Sequence, residues 1–465
     1  MKKPLSHSSR REFLRQAGLA GLAGATLSAA PSARAASKAK GASAGKARNL
    51  IFLVADGMNN GTLAAAHHYL NLTAQRDTEW MRLYRDGLSR RGLVETSSAT
   101  GIVTDSAAAA TAWGGGQRVL NGSLNMTSEG KALTPLYHYG KQAGKALGLV
   151  STTRLTHATP AGFAVSVPSR DLEDEIAEQF LARGEVDILF GGGSRHFDPA
   201  QRDDGRDLFA AYAKAGFNVL RSRADLARAP REGRFLGTFC DTHLPYQIDR
   251  THDAALGDTV PALDVMMQAA LERLAGRSEG FLLQVEGGRI DHAGHANDAG
   301  AILHDMLEFD RCIGVARRFA ERHGDTLVIV TTDHGTGGFM INGAGPRYAF
   351  SSDRFRHLGA VSASYEHLQR RGASPLQTVK ALGLGAEEGL ARRALDALQG
   401  MGDDRNAMSD ALQPILADWL SVSWNSHNHT ADLAEFASFG PGSETIPDYH
   451  ENWELHHRLR EILAI

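Results

Sequence analysis

The sequence predicts an α/β fold in which a large central, mainly parallel β-sheet carries helices on both faces and a mostly helical insertion is added. Three observations carry this expectation. Five short, continuously apolar runs (LIFLVA, ALGLVST, VDILFGGG, GFLLQV and TLVIVTT) alternate with longer amphipathic stretches, the pattern of strands buried on both faces by crossover helices. Four of these runs end in, or lead quickly to, residues that could hold a ligand, as expected at the carboxyl ends of parallel strands. Between about residues 345 and 420 the strand signal stops, and Gly, Arg and Leu/Ala-rich helical segments replace it.

The chain opens with Ser9-Arg10-Arg11-Glu12-Phe13-Leu14-Arg15, a weakly apolar stretch from Ala17 to Ala30, and Ala33-Arg34-Ala35. The apolar stretch is too short and too mild to span a membrane, and the A-x-A site follows it. Residues 1–35 therefore read as a twin-arginine export signal, which carries folded proteins across a bacterial membrane. Periplasmic or secreted localisation is expected, with no membrane anchor after cleavage. Residues 36–48 read as an Ala/Gly/Ser/Lys-rich linker. The match to G-x-S-x-G at Gly41–Gly45 has no strand before it and no helix after it, so it is read as chance.

The catalytic domain is expected over residues 49–465. LIFLVA delivers Asp56-Gly57. VTDSAAAATAW raises the question of why Asp105-Ser106 precedes four alanines: it can be a capped helix start, or a reactive serine at an anion-favouring helix N-terminus. ALGLVST leads through Arg154 to His157 and Thr159, and Arg170 precedes the helical DLEDEIAEQFL. GFLLQV delivers Glu286 and TLVIVTT delivers Asp333-His334. Asp291 and His295, at i and i+4, share one face of a helical turn. His429 lies in Asn428-His429-Thr430 near the end of the chain.

Composition narrows the function. The 465 residues are 42% hydrophobic and 22% charged, with net charge -3; residues 1–35 hold six Lys/Arg against one Asp/Glu, so the remainder carries -8. Nothing in this balance points to nucleic acid or an anionic membrane as a partner. The two cysteines, Cys240 and Cys312, do not form a metal knuckle, and a bridge between them is left open.

Taken together, Asp56-Gly57-Met58, Thr104-Asp105-Ser106-Ala107-Ala108, Val285-Glu286-Gly287, Ile290-Asp291-His292 with His295, Thr332-Asp333-His334 and His429-Thr430 resemble the alkaline phosphatase family in type, order and spacing. The resemblance implies hydrolysis of small phosphomonoesters through a phosphoserine on Ser106. It implies a site of two Zn2+ and one Mg2+. Asp291, His295 and His429 would hold one zinc, and Asp56, Asp333 and His334 the other, with Ser106 reaching toward it. Asp56 would bridge to the magnesium, completed by Thr159 and Glu286. Arg170 falls where the family grips phosphate with two parallel hydrogen bonds. Relatives carry either Asp and Lys or two histidines beside the third metal. This chain has His157 and His292, placing His157 next to the third ion and His292 next to bound phosphate, outside the ligand set. That pair leaves Zn2+ or Co2+ possible at the third site. A homodimer is possible by analogy. A sulfatase would need a C/S-x-P-x-R setting that neither cysteine has; a phosphodiesterase would be expected to use threonine and to lack an Arg170 equivalent. A zinc- or phosphate-binding protein without turnover would need neither Ser106 nor Arg170.

Overall fold

The computed structural model describes residues 46–402 and 406–465. The export signal, the Gly41–Gly45 match and most of the expected linker lie outside the described residues. Ala47 and Arg48, placed in that linker by sequence, are tied to the fold: Ala47 is buried and its N–H donates to Ile462 O at 3.1 Å, and the exposed Arg48 donates its N–H to Asp325 O at 2.9 Å.

The strands, in chain order, are β1 (Asn49–Val54), β2 (Arg90–Glu95), β3 (Ala146–Arg154), β4 (Ile188–Gly192), β5 (Phe217–Leu220), β6 (Arg234–Thr238), β7 (Phe281–Glu286), β8 (Thr326–Thr331), β9 (Gly335–Thr336), β10 (Met340–Ile341), β11 (Val422–Ser423), β12 (His429–Thr430), β13 (Ala434–Phe439) and β14 (Tyr449–Glu451). Ten of them form one sheet, in the order β14-β2-β13-β8-β1-β7-β3-β4-β6-β5. All its pairings are parallel except those of β13 with β2 and β8.

Both faces of the sheet are covered, which is why its central strands read as unbroken apolar runs. In β1, Leu50, Phe52 and Val54 point into one core and Ile51 and Leu53 into the other. On the Ile51 side lies the long helix Ala299–His323, which contributes Ile302, Met306, Phe309 and Ile313. On the Phe52 side lie the helices Ser106–Gly115 and Asn452–Leu463, with Ala107, Trp113, Leu455 and Leu459. Each fully buried Leu, Ile, Val or Phe of this kind contributes about 1.5–3 kcal/mol of transfer free energy.

The chain between β10 and β11 forms, among the described residues, the helices Ser351–Arg356, Tyr365–Arg370, Pro375–Ala381, Glu388–Gln399 and Ala407–Leu420. Its two ends are clasped where β10 pairs antiparallel with β11 and Asn342 N–H donates to Ser421 O. Phe355, Leu358, Tyr365 and Leu412 join the same core as Ile51. The helices therefore share a core with the sheet. Among the described residues no helix is long and apolar enough to cross a membrane.

The alanine run has a packing reason. Every residue from Ser106 to Gly114 is buried, and where the helix meets the turn after β3 only small side chains fit. Its closest neighbour is the short helix Ala158–Gly162. A Cβ on Gly114 would stand 1.8 Å from Gly162 O, and one on Gly162 would stand 2.5 Å from Ala110 Cβ. Gly114→Ala must therefore push apart the helices that carry Ser106 and Thr159. The expected cost is about 1–3 kcal/mol, read as a lower thermal midpoint than wild type by differential scanning calorimetry; an unchanged midpoint would show that the contact yields freely.

Candidate active site

The four strands β8, β1, β7 and β3 lie side by side, and their carboxyl ends carry Asp333, Asp56, Glu286 and, after a short turn, His157 and Thr159. Register aligns them: Val54 of β1 pairs with both Thr331 of β8 and Glu286 of β7, and Glu286 pairs with Ser151 of β3. Gly57 closes the gap to the next element. Its φ of +70° turns the chain left-handed, and a Cβ there would sit 2.6 Å from Asp291 Cα. Its N–H donates to Asp333 Oδ1 at 3.0 Å. Asp291 and His295 project from the helix Arg289–His295. His429, nearly a hundred residues beyond His334, arrives because β12 pairs antiparallel with β9, setting His429 opposite Thr336.

The histidines are oriented for lone-pair donation toward one another. His295 Nδ1 lies 2.6 Å from His427 O, and His429 Nδ1 lies 2.8 Å from Thr104 O. A carbonyl oxygen only accepts, so both Nδ1 atoms carry the proton and both Nε2 atoms are bare. Thr336 Oγ1 donates to Asp291 Oδ1 at 2.6 Å, so toward His334 Nδ1, at 3.3 Å, it acts as acceptor. The bare Nε2 atoms converge. His295 and His429 are 3.0 Å apart there, and both lie 3.5–3.6 Å from Asp291 Oδ1. His334 Nε2 is 3.1 Å from Asp333 Oδ2 and 3.7 Å from Asp56 Oδ1. Two bare imidazole nitrogens at 3.0 Å repel unless something electrophilic lies between them, and proton-bearing second nitrogens on oxygen are the usual support of metal-ligating histidines.

The carboxylates tell the same story. Asp56, Glu286, Asp291 and Asp333 are all within the interior. Both Asp56 oxygens, Asp333 Oδ2, Glu286 Oε1, Thr159 Oγ1 and His157 Nδ1 are buried and have no hydrogen-bond partner. Burial, compounded by Asp333, Asp291 and Glu286, raises Asp56 well above the usual carboxylate range. Burial likewise lifts Asp333 to about 6 and Glu286 to about 7. Burial would raise Asp291 as well, but the rings of His295, His334 and His429 around it, whenever they carry positive charge, hold it well below the ordinary value, as a cation at their bare nitrogens would. Such a set of orphaned acceptors fits cations and little else. Among the described residues three groups could hold an ion: Asp291 with His334 and His429, Asp56 with Asp333 and His334, and Asp56 with His157 and Glu286. Asp56 belongs to two of them. The sequence reading set His157 beside the third ion and outside its ligand set; the structure brings its ring within reach of Asp56 and Glu286.

Ser106 and Arg170 close the arrangement. Asp105 is the cap of the helix Ser106–Gly115, its Oδ1 accepting from Ala108 N–H at 2.9 Å. The cap reading falls on Asp105, and Ser106 begins the helix with its Oγ 3.3 Å from His334 Nε2. Asp105 Oδ2 also accepts from Gly122 N–H and from Arg170 Nη1, each at 3.0 Å. Arg170 Nη2 donates to His157 Nε2 at 2.9 Å. Burial works against the Arg170 charge, but Asp105 more than compensates and keeps it firmly protonated.

Ser106, Arg170, Asp291, His292, His295 and His429 line a cavity of about 470 Å³. His243, Tyr246, Arg289, Tyr365 and Glu366 also line it, and no sequence motif singled these out. Asp105 was visible inside a quoted motif and Thr336 was not, and the holding role of each depends on contacts across the fold. Ser151 and Thr153, which donate to Glu286 Oε2, read in the sequence only as strand residues. Cys240 and Cys312 are both free, so no bridge joins them.

The raised carboxyls have a consequence for stability. Asp333 and Glu286 keep protons in the folded, metal-free protein to about pH 6 and 7, whereas in an unfolded chain both are ionised by about pH 4.5. These two groups hold more protons in the folded state in that window, so their own contribution to metal-free stability falls as pH rises from about 4.5 to about 7, while His157, His243, His292 and His334, which burial pushes well below the ordinary imidazole value, contribute in the opposite sense. Glu286→Gln isolates the carboxyl part: relative to wild type, the chelator-treated variant should gain more thermal stability at pH 8 than at pH 5, and added Zn2+ should raise the wild-type midpoint more at pH 8 than at pH 5. An equal difference at both pH values, or equal rescue by Zn2+ at both, contradicts this electrostatic picture.

The alkaline phosphatase family profile matches residues 47–465. Alkaline phosphatase 3 of Bacillus subtilis is 30% identical over 432 residues, covering 91% of this chain and 90% of its own. An alkaline phosphatase of Schizosaccharomyces pombe is 31% identical over 443 residues, covering 88% of this chain and 80% of its own. The crystal structure of Thermus thermophilus alkaline phosphatase superposes with a TM-score of 0.82 at 37% identity, over 90% of this chain and 92% of that one. With its sheet, its clustered donors and its serine-led helix all in place, the chain belongs to the alkaline phosphatase family of phosphomonoester hydrolases.

Proposed function

We propose that Ser106 is the nucleophile of this hydrolase and that the cluster around it holds two Zn2+ and one Mg2+. The observation that carries the reading is the position of Ser106 Oγ at a helix N-terminus, 3.3 Å from the bare Nε2 of His334. Asp291, His295 and His429 form the first zinc set, and Asp56, Asp333 and His334 the second. Imidazole with carboxylate suits zinc. Asp56, Thr159 and Glu286 offer oxygen alone, which suits magnesium; His157 as an added nitrogen donor makes Zn2+ or Co2+ acceptable there. Bound metal supplies Lewis acidity that lowers the Ser106 hydroxyl pKa and offsets charge on the leaving oxygen.

The chain's own residues do the rest. Arg170 presents two guanidinium nitrogens, aligned by Asp105 and His157, to grip phosphoryl oxygens. Backbone amides at the start of the helix add positive potential where negative charge gathers. Ser106 Oγ attacks phosphorus in line, the alcohol leaves, and a phosphoserine forms. Water then displaces the serine and releases phosphate. Two inversions give net retention at phosphorus. The leader supports export in folded form by the twin-arginine route, with the cleaved enzyme in the periplasm or medium.

Metal-loaded protein should hydrolyse p-nitrophenyl phosphate at alkaline pH, with activity abolished by chelator and restored by Zn2+. Ser106→Ala should lose at least about a thousandfold in kcat with full metal content. Turnover retained by Ser106→Ala would remove the phosphoserine route. Fully metallated wild type without turnover would favour simple phosphate binding. Arg170→Ala should lower kcat/KM by about a hundredfold, with inorganic phosphate inhibiting correspondingly less; an effect below threefold would release Arg170 from its role as the phosphate grip.

A further inference from the structure

Arg289 lines the cavity, yet the reaction as drawn gives it no part. It is 2% exposed, and its Cζ lies 3.8 Å above the centre of the Tyr246 ring. Nη2 donates to Glu366 Oε2. Glu366 belongs to the helix Tyr365–Arg370, within the segment between β10 and β11. That helix is pinned from below. Ser364 N–H and Oγ donate to the two Asp249 oxygens at 2.8 and 2.6 Å, and Tyr365 N–H donates to Asp298 Oδ2 at 2.7 Å. The carboxylate that matches Arg289 is therefore delivered by a fixed element.

The remaining contact points at the phosphoryl site. Arg289 Nη1 lies 3.0 Å from His292 Nδ1. A guanidinium only donates, so this ring nitrogen must accept, and the proton of the imidazole sits on Nε2. His292 lines the same cavity as Ser106 and Arg170. We infer that Arg289, held by Glu366, is a positioning residue that locks His292 as an Nε2–H donor for the phosphoryl group, making the helical segment part of the catalytic pocket. The inference rests on the proposed reading of the cavity as a phosphate-ester site. It gives the segment of residues 345–420 a task that the strand-end motifs do not provide.

The test is a double-mutant cycle on the full-length, metal-loaded protein, read by the Kd of inorganic phosphate and the KM of p-nitrophenyl phosphate. Arg289→Met and Glu366→Gln should each weaken phosphate binding, about tenfold for Arg289→Met, with kcat changing less than KM. In a His292→Ala background the same substitutions should add less than twofold, because their effect runs through that ring. Glu366→Gln keeps size and shape, so it serves if Arg289→Met fails to retain metal. Long-range proton–nitrogen correlation of the histidine rings should find the His292 proton on Nε2 in wild type and a mixture of tautomers in Glu366→Gln. Multiplicative effects in the cycle, or an unchanged tautomer, would overturn the inference. The phosphate Kd decides this even if wild type shows no turnover, an outcome that would instead reject the phosphatase reading.

Discussion

Four carboxylates gathered in the dry interior are the constraint on which the rest of the structure depends. Asp56, Glu286, Asp291 and Asp333 stand at or just beyond strand and helix ends, with several of their oxygens lacking any protein donor. Like charges at that distance and burial cannot all remain ionised without cations. Much of the surrounding design serves to keep them there. Gly57 allows the Asp56 loop to touch the Asp291 backbone, the β9–β12 ladder imports His429, and Ser151 and Thr153 hold Glu286 by its other oxygen. The fold spends its rigidity on a local arrangement that is unfavourable when metal-free and becomes favourable when its ligands are satisfied.

Orientation is set by groups that carry no chemistry of their own. Backbone carbonyls of Thr104 and His427 fix which nitrogen of His429 and His295 is bare, and Thr336 does the same for His334 while holding Asp291. Asp105 performs two tasks with two oxygens, capping the serine helix with one and aligning Arg170 with the other. Ser106 and Arg170 are thus tied to one residue. Small side chains then let the serine helix sit against the turn bearing Thr159, so Ser106 and Thr159 share a packed interface.

Much of this was legible from the amino-acid sequence because strand ends announce themselves. Unbroken apolar runs closing on Asp56, Glu286 and Asp333-His334 give both the parallel sheet and the shared site, since only buried strands read that way. The peripheral strands were not legible. β2 is charged at both ends with only Gly92, Leu93 and Val94 between, β5 and β14 are four and three residues long, and β13 runs antiparallel where the others of the main sheet do not. The holding residues were also out of reach. The roles of Thr336, Arg289 and Glu366 come from contacts between segments far apart in the chain, and no local pattern encodes them. The distance of His157 from Asp56 and Glu286 was not legible either, because sequence gives its order along the chain whereas the turn after β3 sets its place in space.

Whether the buried carboxylates and bare imidazole nitrogens bind metal within reach of Ser106 is decided by anomalous diffraction from crystals of the purified protein, collected above and below the zinc absorption edge. Two zinc peaks are expected, one among Asp291, His295 and His429 and one among Asp56, Asp333 and His334, with a third ion beside Asp56 and Glu286. Crystals of active enzyme with no ordered metal among these residues, or with zinc held elsewhere, would contradict this expectation.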